Sequence, residues 1–106
     1  MVSFEVAKKL KEVNFLIKND LFSSYYTENG DITYFILDKN REIYPAPTNE
    51  EVNNWFINNY NFHIADILIE CWIMDFKEKQ VILKVKDYNE AILQIINYIK
   101  FGTFEL

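Results

Sequence analysis

The chain has few of the residues from which reactive or metal-binding sites are built. Its 106 residues include one cysteine, Cys71, and one histidine, His63. A single cysteine cannot form an internal disulfide, and without a Cys and His cluster the sequence gives no basis for a zinc site. Glycine occurs only at Gly30 and Gly102, so a glycine-rich phosphate loop is excluded. We therefore expect no metal, no cofactor and a reducing compartment.

Positive charge is also scarce. Lys and Arg total 11 against 16 Asp and Glu, which gives a formal net charge of -5, and Arg41 is the only arginine. Bidentate contacts with guanine and phosphate favour arginine, and an acidic protein repels a polyanion. The composition therefore speaks against direct binding of nucleic acid.

The remaining composition is typical of a globular protein. Half of the residues are hydrophobic and 17% are aromatic, far from the composition of a disordered chain. We expect a single α+β domain over residues 1–106, because this length suffices for one modest core. No window approaches the ~20 apolar residues of a membrane span, and lysines lie where a signal peptide is apolar. We expect a cytoplasmic protein that does not contact a membrane.

Three segments have the apolar spacing of amphipathic helices. They cover residues 4–14, about 49–60 and about 88–100. Each follows a residue whose side chain can cap a helix N-terminus, and these residues are Ser3, Thr48 and Asp87.

The segments between the first two helices predict a β-hairpin. Residues 32–37 are rich in β-branched and aromatic side chains, which predicts a first strand. A polar turn follows, and residues 42–44 are the predicted second strand. Pro45 ends the second strand because proline cannot donate a hydrogen bond to a ladder. Residues 18–31 carry turn chemistry, and we expect them to be mostly loop.

The segment after the second helix predicts a second hairpin. From Phe62 to Ile73 the odd positions are apolar except for His63, which predicts one long strand. A charged turn follows, and residues 81–85 form the predicted partner strand. The predicted order is α-ββ-α-ββ-α. The fold class is α+β, with two antiparallel β-hairpins, or one four-stranded sheet, packed by three helices.

Three stretches of the chain carry a family resemblance. They run from Ser3 to Glu12, from Tyr44 through Thr48 to Trp55, and from Tyr88 to Ile92. In this order they resemble a group of small, uncharacterised proteins common in phages and mobile elements of Bacteroidetes. The resemblance implies a phage-like origin and the cytoplasm of a bacterial host, and it implies no activity.

Nucleophilic catalysis would need His63 together with Cys71 or a carboxylate such as Asp66. On one continuous strand, His63 and Cys71 lie about 26 Å apart at roughly 3.3 Å per residue. Asp66 and Glu70 lie roughly 13 Å apart by the same rise, beyond the separation of paired glycosidase carboxylates. We therefore expect no enzyme, and a small hydrolase or transferase using His63 is the alternative from another class.

The predicted long strand and its neighbour share a face that mixes charged and large apolar side chains. Such a face is either covered by a helix or by the 15–31 loop, or is an interface anchored by Trp72. Both interpretations stay open. The candidate partner-binding residues are Leu68, Trp72, Met74, Ile82, Asp66, Glu70, Tyr25 and Tyr26.

These observations favour a small acidic protein that binds and blocks a host macromolecule. The concrete form is an inhibitor of a CRISPR-type defence nuclease, in which carboxylates occupy a groove built for phosphates. The alternative is an immunity protein that neutralises a basic toxin. The expected partner is a host protein, with a nucleic-acid-binding nuclease as one candidate. Formation of a homodimer is a further alternative.

Overall fold

The computed structural model describes residues 2–15, 24–33 and 42–105. They fall into two compact units, Met1–Thr48 and Asn49–Leu106. No helix in these ranges is long and apolar enough to span a membrane. The elements are α1 (Phe4–Glu12), β1 (Tyr25–Thr27), β2 (Ile32–Thr33), β3 (Ile43–Pro45), α2 (Asn49–Tyr60), β4 (Phe62–Ile67), β5 (Glu70–Asp75), β6 (Gln80–Val85) and α3 (Tyr88–Phe101).

The α+β class is confirmed, but the sheet arrangement differs from the prediction. The order is α-βββ-α-βββ-α, with one three-stranded antiparallel sheet in each unit. Within the described ranges the strands therefore form neither two isolated hairpins nor one four-stranded sheet. Each predicted hairpin gains a strand, one from a segment predicted as loop and one from the division of the predicted long strand.

Helix α1 begins where the sequence predicts and ends two residues earlier, at Glu12 rather than Asn14. The Ser3 Oγ accepts a hydrogen bond from the Val6 N–H at 3.2 Å, as an N-cap does. The helix packs on β3, where the Lys11 Nζ donates to the Ile43 carbonyl at 2.9 Å. Its core-facing side chains are Val6, Ala7 and Leu10.

The first sheet changes the prediction for Tyr25–Thr27 and for the first hairpin, whereas residues 18–23 of the predicted loop lie outside the described ranges. Strand β1 lies in the centre, in the order β2-β1-β3, so β2 and β3 do not pair within the described residues. Tyr25, Tyr26 and Thr27 have the side chains that strands favour, and the turn chemistry begins only after them. Gly30 has a φ of 86° and lies against the Phe4 ring, so a side chain there would strain the backbone and displace the ring. Residues 34–41 of the predicted hairpin lie outside the described ranges.

Both helices of the second unit are confirmed. Helix α2 has the predicted bounds, and α3 runs one residue further than predicted, to Phe101. The Asp87 carboxylate accepts from the Glu90 N–H at 2.8 Å, and Gly102 ends the helix with a left-handed φ of 75°. The buried side chains of α3 are Ala91, Ile92, Gln94, Ile95 and Ile96.

The prediction of one long strand from Phe62 to Ile73 is wrong. The chain turns back at Leu68 and Ile69, so that Ile67 of β4 pairs with Glu70 of β5. Leu68 has a positive φ of 37°, which a leucine adopts only at a steric cost. The turn carries no Gly, Asn, Asp or Pro, so the sequence alternation runs through it without a break.

The register of β4 with β5 sorts the side chains of the second sheet onto two faces. The buried face carries Phe62, Ile64, Cys71 and Ile73, and α3 packs against the strands of this sheet. The opposite side, called the outer face below, carries half-buried side chains of β4 and β5 and exposed side chains of β6. They are His63, Ala65, Trp72 and Met74, with Lys84 and Val81 of β6 beside them.

The β4 edge of this sheet is closed by a side chain. The Asn53 Oδ1 accepts from the Ile64 N–H at 2.8 Å, and the Asn53 Nδ2 donates to the Ile64 carbonyl at 3.5 Å. The amide therefore serves the Ile64 peptide as a neighbouring strand would. Helix α2, which carries Asn53, packs on β4.

Removing this amide should destabilise the protein. We expect Asn53→Ala to lower the free energy of unfolding by about 1–3 kcal/mol, because it leaves a partly buried Ile64 N–H without a partner. The matched control is Asn54→Ala, an exposed neighbour on the same helix, which should change the value by less than about 0.5 kcal/mol. Urea unfolding followed by circular dichroism measures both, and equal effects would contradict the proposed role of Asn53.

Candidate functional site

The structure places His63 and Cys71 on opposite sides of the second sheet. His63 pairs with Met74 and lies on the outer face, where its Nδ1 is 3.3 Å from the Asn53 Nδ2. Cys71 pairs with Asp66 and is buried on the other face. The predicted separation along one strand is wrong because the chain turns at Leu68, yet the sheet itself now separates the imidazole from the thiol.

The Cys71 thiol lies in surroundings that oppose its ionisation. It donates to the Asp66 carboxylate at 3.8 Å. Burial raises the pKa of Cys71, and the negative charge of Asp66 raises it further. Since the thiolate is the reactive form, this geometry does not activate a nucleophile.

Tyr88 lies near the same pair and is also held in its neutral form. Burial raises the pKa of its hydroxyl, with added contributions from Cys71 and Asp66. The hydroxyl donates to the Asn49 carbonyl at 3.1 Å, which ties the start of α3 to the start of α2. Tyr88 therefore serves the packing of the unit.

The two predicted carboxylates do not share a face. Asp66 is opposite Cys71, whereas Glu70 is opposite Ile67 and next to Trp72 on the outer face. In the described parts of the chain, no group of three or more His, Cys, Asp or Glu residues is placed to hold a metal ion.

The eight predicted partner-binding residues do not form one surface. Glu70, Trp72 and Met74 belong to the outer face, and Asp66 lies on the opposite side. Leu68 lies in the turn, and Ile82 is displaced by a β-bulge between Ile73 and Met74 of β5. The predicted alternating face is therefore wrong, because the turn and the bulge each reset the register.

Tyr25 and Tyr26 belong to β1 in the first unit. Tyr26 is buried, and its hydroxyl donates to the Val2 carbonyl at 2.7 Å. Tyr25 is half-buried and pairs with Thr33 and Pro45. Tyr26 is therefore a core residue with a satisfied hydroxyl, which is the ordinary environment of a buried tyrosine.

Trp72 is an aromatic residue of the outer face whose ring is oriented by two side-chain contacts. Its indole N–H donates to the Glu70 carboxylate at 2.8 Å, and the Lys84 Nζ lies 4.9 Å from its ring centre. These two contacts restrict the orientation of the half-buried ring.

The most exposed apolar side chains of the second unit lie at the turn between β4 and β5. Leu68 is fully exposed and Ile69 is 90% exposed, and the neighbouring Ile67 is also exposed. We call Ile67, Leu68 and Ile69 the hairpin tip. Leu68 was among the candidates predicted from the sequence, but the turn and Ile69 were missed, because Ile69 follows the alternation of buried residues and no turn residue is present there.

No family model, no curated protein and no solved structure matches this chain. The candidate site is therefore defined by the structure of the second unit alone. It consists of the exposed hairpin tip and Trp72, while the Cys71 thiol is buried on the other side of the sheet.

The electrostatic effect of Asp66 on Cys71 is testable by thiol labelling. We expect Asp66→Asn to accelerate the reaction of Cys71 with a disulfide reagent at pH 8 by a few-fold, because removing the carboxylate lowers the pKa of the thiol. Glu70→Gln, on the opposite face, is the matched control and should leave the rate unchanged. An unchanged rate in Asp66→Asn would show that burial alone limits Cys71.

Proposed function

We propose that this chain is a small protein-binding module that blocks the surface of another macromolecule through its hairpin tip. The observation that carries the proposal is the state of Leu68, whose side chain is fully exposed on a backbone with φ of 37°. Ile69, at 90% exposure, doubles the apolar surface that this turn presents.

The tip makes no evident contribution to folding. Its side chains lie outside the core, and a left-handed backbone costs a leucine about 1–2 kcal/mol relative to glycine. Two-residue hairpin turns of this sign pattern ordinarily have glycine at the first position. A residue that opposes local structure without contributing to the core is a candidate for a role in binding.

The outer face extends the tip into a larger surface. Ile67 lies opposite Glu70, and Trp72, held by Glu70 and Lys84, is the next outer-face residue of β5. Tryptophan is enriched among the residues that dominate binding energy, especially beside apolar anchors. We therefore assign Trp72 as the second anchor.

The charges around the tip favour a protein partner over a lipid surface. Asp66 and Glu70 stand on either side of the turn, and the whole chain carries a net charge of -5. Anionic membrane surfaces attract basic segments and repel acidic ones. A protein pocket with an apolar floor and a basic rim complements both features.

Proteins that bind nucleic acid present basic surfaces, so the acidic charge of this chain favours a more specific form of the proposal. In that form the target is a CRISPR-type nuclease, whose positively charged groove the acidic module occupies. A toxin nuclease neutralised by an immunity protein has the same chemistry and is the second form.

Relief of the turn should improve stability while removing binding. We expect Leu68→Gly with Ile69→Asn to raise the free energy of unfolding by about 1 kcal/mol, because glycine adopts the left-handed conformation without steric cost. The same variant should lose binding, because both apolar anchors are gone. Urea unfolding measures the first effect, and a fall in stability would contradict the assigned strain.

Loss of binding is tested by measuring DNA or RNA cleavage by a panel of CRISPR-type nucleases and toxin nucleases, with and without the protein. We expect inhibition in one of the two groups, at least a tenfold weaker effect from the turn variant, and no change in the control Phe101→Ser. Phe101 is 68% exposed in the last turn of α3, so the control also removes an exposed apolar side chain. Equal inhibition by the turn variant would exclude the tip as the binding surface.

A further inference from the structure

The two edges of the second sheet differ. On β4, Asn53 satisfies the Ile64 peptide from outside. On β6, no hydrogen bond among the described residues reaches the outer edge, and Val81 and Ile82 are each 41% exposed there. An edge strand with exposed apolar side chains and unpaired peptide groups is a template for pairing with another strand.

We propose that β6 is the dimerisation edge of this protein. A second copy of the chain adds its own β6 in antiparallel orientation, so that the two three-stranded sheets join in one continuous sheet. This inference does not depend on the proposed function, since the tip lies in the β4–β5 turn and takes no part in the contact.

The sequence of β6 is complementary to itself in one full-length register. With the two-fold axis between Ile82 and Leu83, Gln80 faces the second copy's Val85, and Val81 faces its Lys84. Directly opposite residues share a face in an antiparallel pair. Val81 and Lys84 both lie on the outer face, so this register keeps the sides of the sheet matched.

The competing register is unfavourable. An axis through Lys84 also preserves the faces, but it places two lysines directly opposite each other, and like charges in that position destabilise a sheet. In the preferred register each Lys84 faces a valine. Its Nζ already lies over the Trp72 ring of β5, at 4.9 Å from the ring centre, and so points away from the edge.

Space for the added strand exists on the buried side of β6. A groove of about 500 Å³ runs between β6 and α3, lined by Leu83 and Val85 and by Glu90, Gln94 and Glu105 among others. The preferred register places the second copy's Ile82 beside Leu83 and its Gln80 beside Val85. An exposed isoleucine is thereby buried, and the added glutamine meets the polar wall of the groove.

The Asn53 contact on the β4 edge favours an assembly of two copies. A dimer with a two-fold axis uses the β6 edge of each copy. A second open edge on each copy would allow further copies to add to the sheet without limit. Asn53 occupies the β4 edge at Ile64. The bulge between Ile73 and Met74 makes β6 irregular, so we expect a weak dimer that forms as concentration rises.

Sedimentation equilibrium over a range of concentrations tests the proposal. The weight-average mass of the natural chain should rise from 12.7 kDa toward twice that value, and Ile82→Lys should remain monomeric, because it brings new charge to the contact. Phe101→Lys is the matched control and should dimerise normally. A monomer at all concentrations, or a dimer that Ile82→Lys leaves intact, would overturn the proposal.

A distance measurement tests the register and covers the case in which Ile82→Lys fails to fold. Spin labels on Gln80→Cys, in a Cys71→Ala background, should lie roughly 18 Å apart, from five residues along the strands and one strand spacing across. Pulsed electron–electron double resonance, at a concentration at which the dimer forms, measures this distance. The absence of a coupling near that distance would refute pairing through β6 in this register.

Discussion

The register between β4 and β5 is the constraint on which the rest of the second unit depends. Successive side chains of a strand point to opposite faces, so the position of the turn decides which residues of both strands reach the core. With Ile67 opposite Glu70, the pairs Ile64–Ile73 and Asp66–Cys71 fall on the side of α3. Moving the turn by one residue would bring Trp72 into the core and Ile73 into solvent. The outer face, the buried thiol and the tip all follow from this one choice.

The helices were predictable from the sequence because their signals are local. Ser3 and Asp87 cap the helices that follow them, and Gly102 ends α3 in a left-handed conformation. A helix also repeats its apolar spacing over several turns, so that one irregular residue does not hide the pattern. The same reasoning placed both bounds of α2 correctly.

The strands were harder to predict because their limits are set by pairing. Leu68 and Ile69 continue the apolar alternation through a turn, and only the partner strand shows where the chain reverses. At Tyr25 the opposite error occurred, since three good strand residues lie in a segment rich in turn signals. These errors had the largest effect on the predicted set of binding residues. One face was predicted where the structure has an outer face, a buried face and a tip.

The side chains considered for catalysis are divided between the two sides of the second sheet. The imidazole of His63 lies on the outer face near Asn53, while the Cys71 thiol is buried against Asp66, which raises its pKa. A nucleophile and its base must lie within hydrogen-bond distance on one side of a structure. Around the tip the second unit presents apolar and charged side chains to solvent, and the proposed function depends on this surface.

The tip and the β6 edge occupy different parts of the sheet, and together they define the geometry of any complex. The tip lies beside the Val85 end of β6, because Cys71 pairs with Val85 just after the turn. In an antiparallel β6 pair, the Val85 end of one copy meets the Gln80 end of the other, so the two tips point toward opposite ends of the joined sheet. Such a dimer cannot place both tips on one flat surface. It would bind two separate target molecules, or two sites on a target that surrounds it, and only the second case would gain affinity from the linkage.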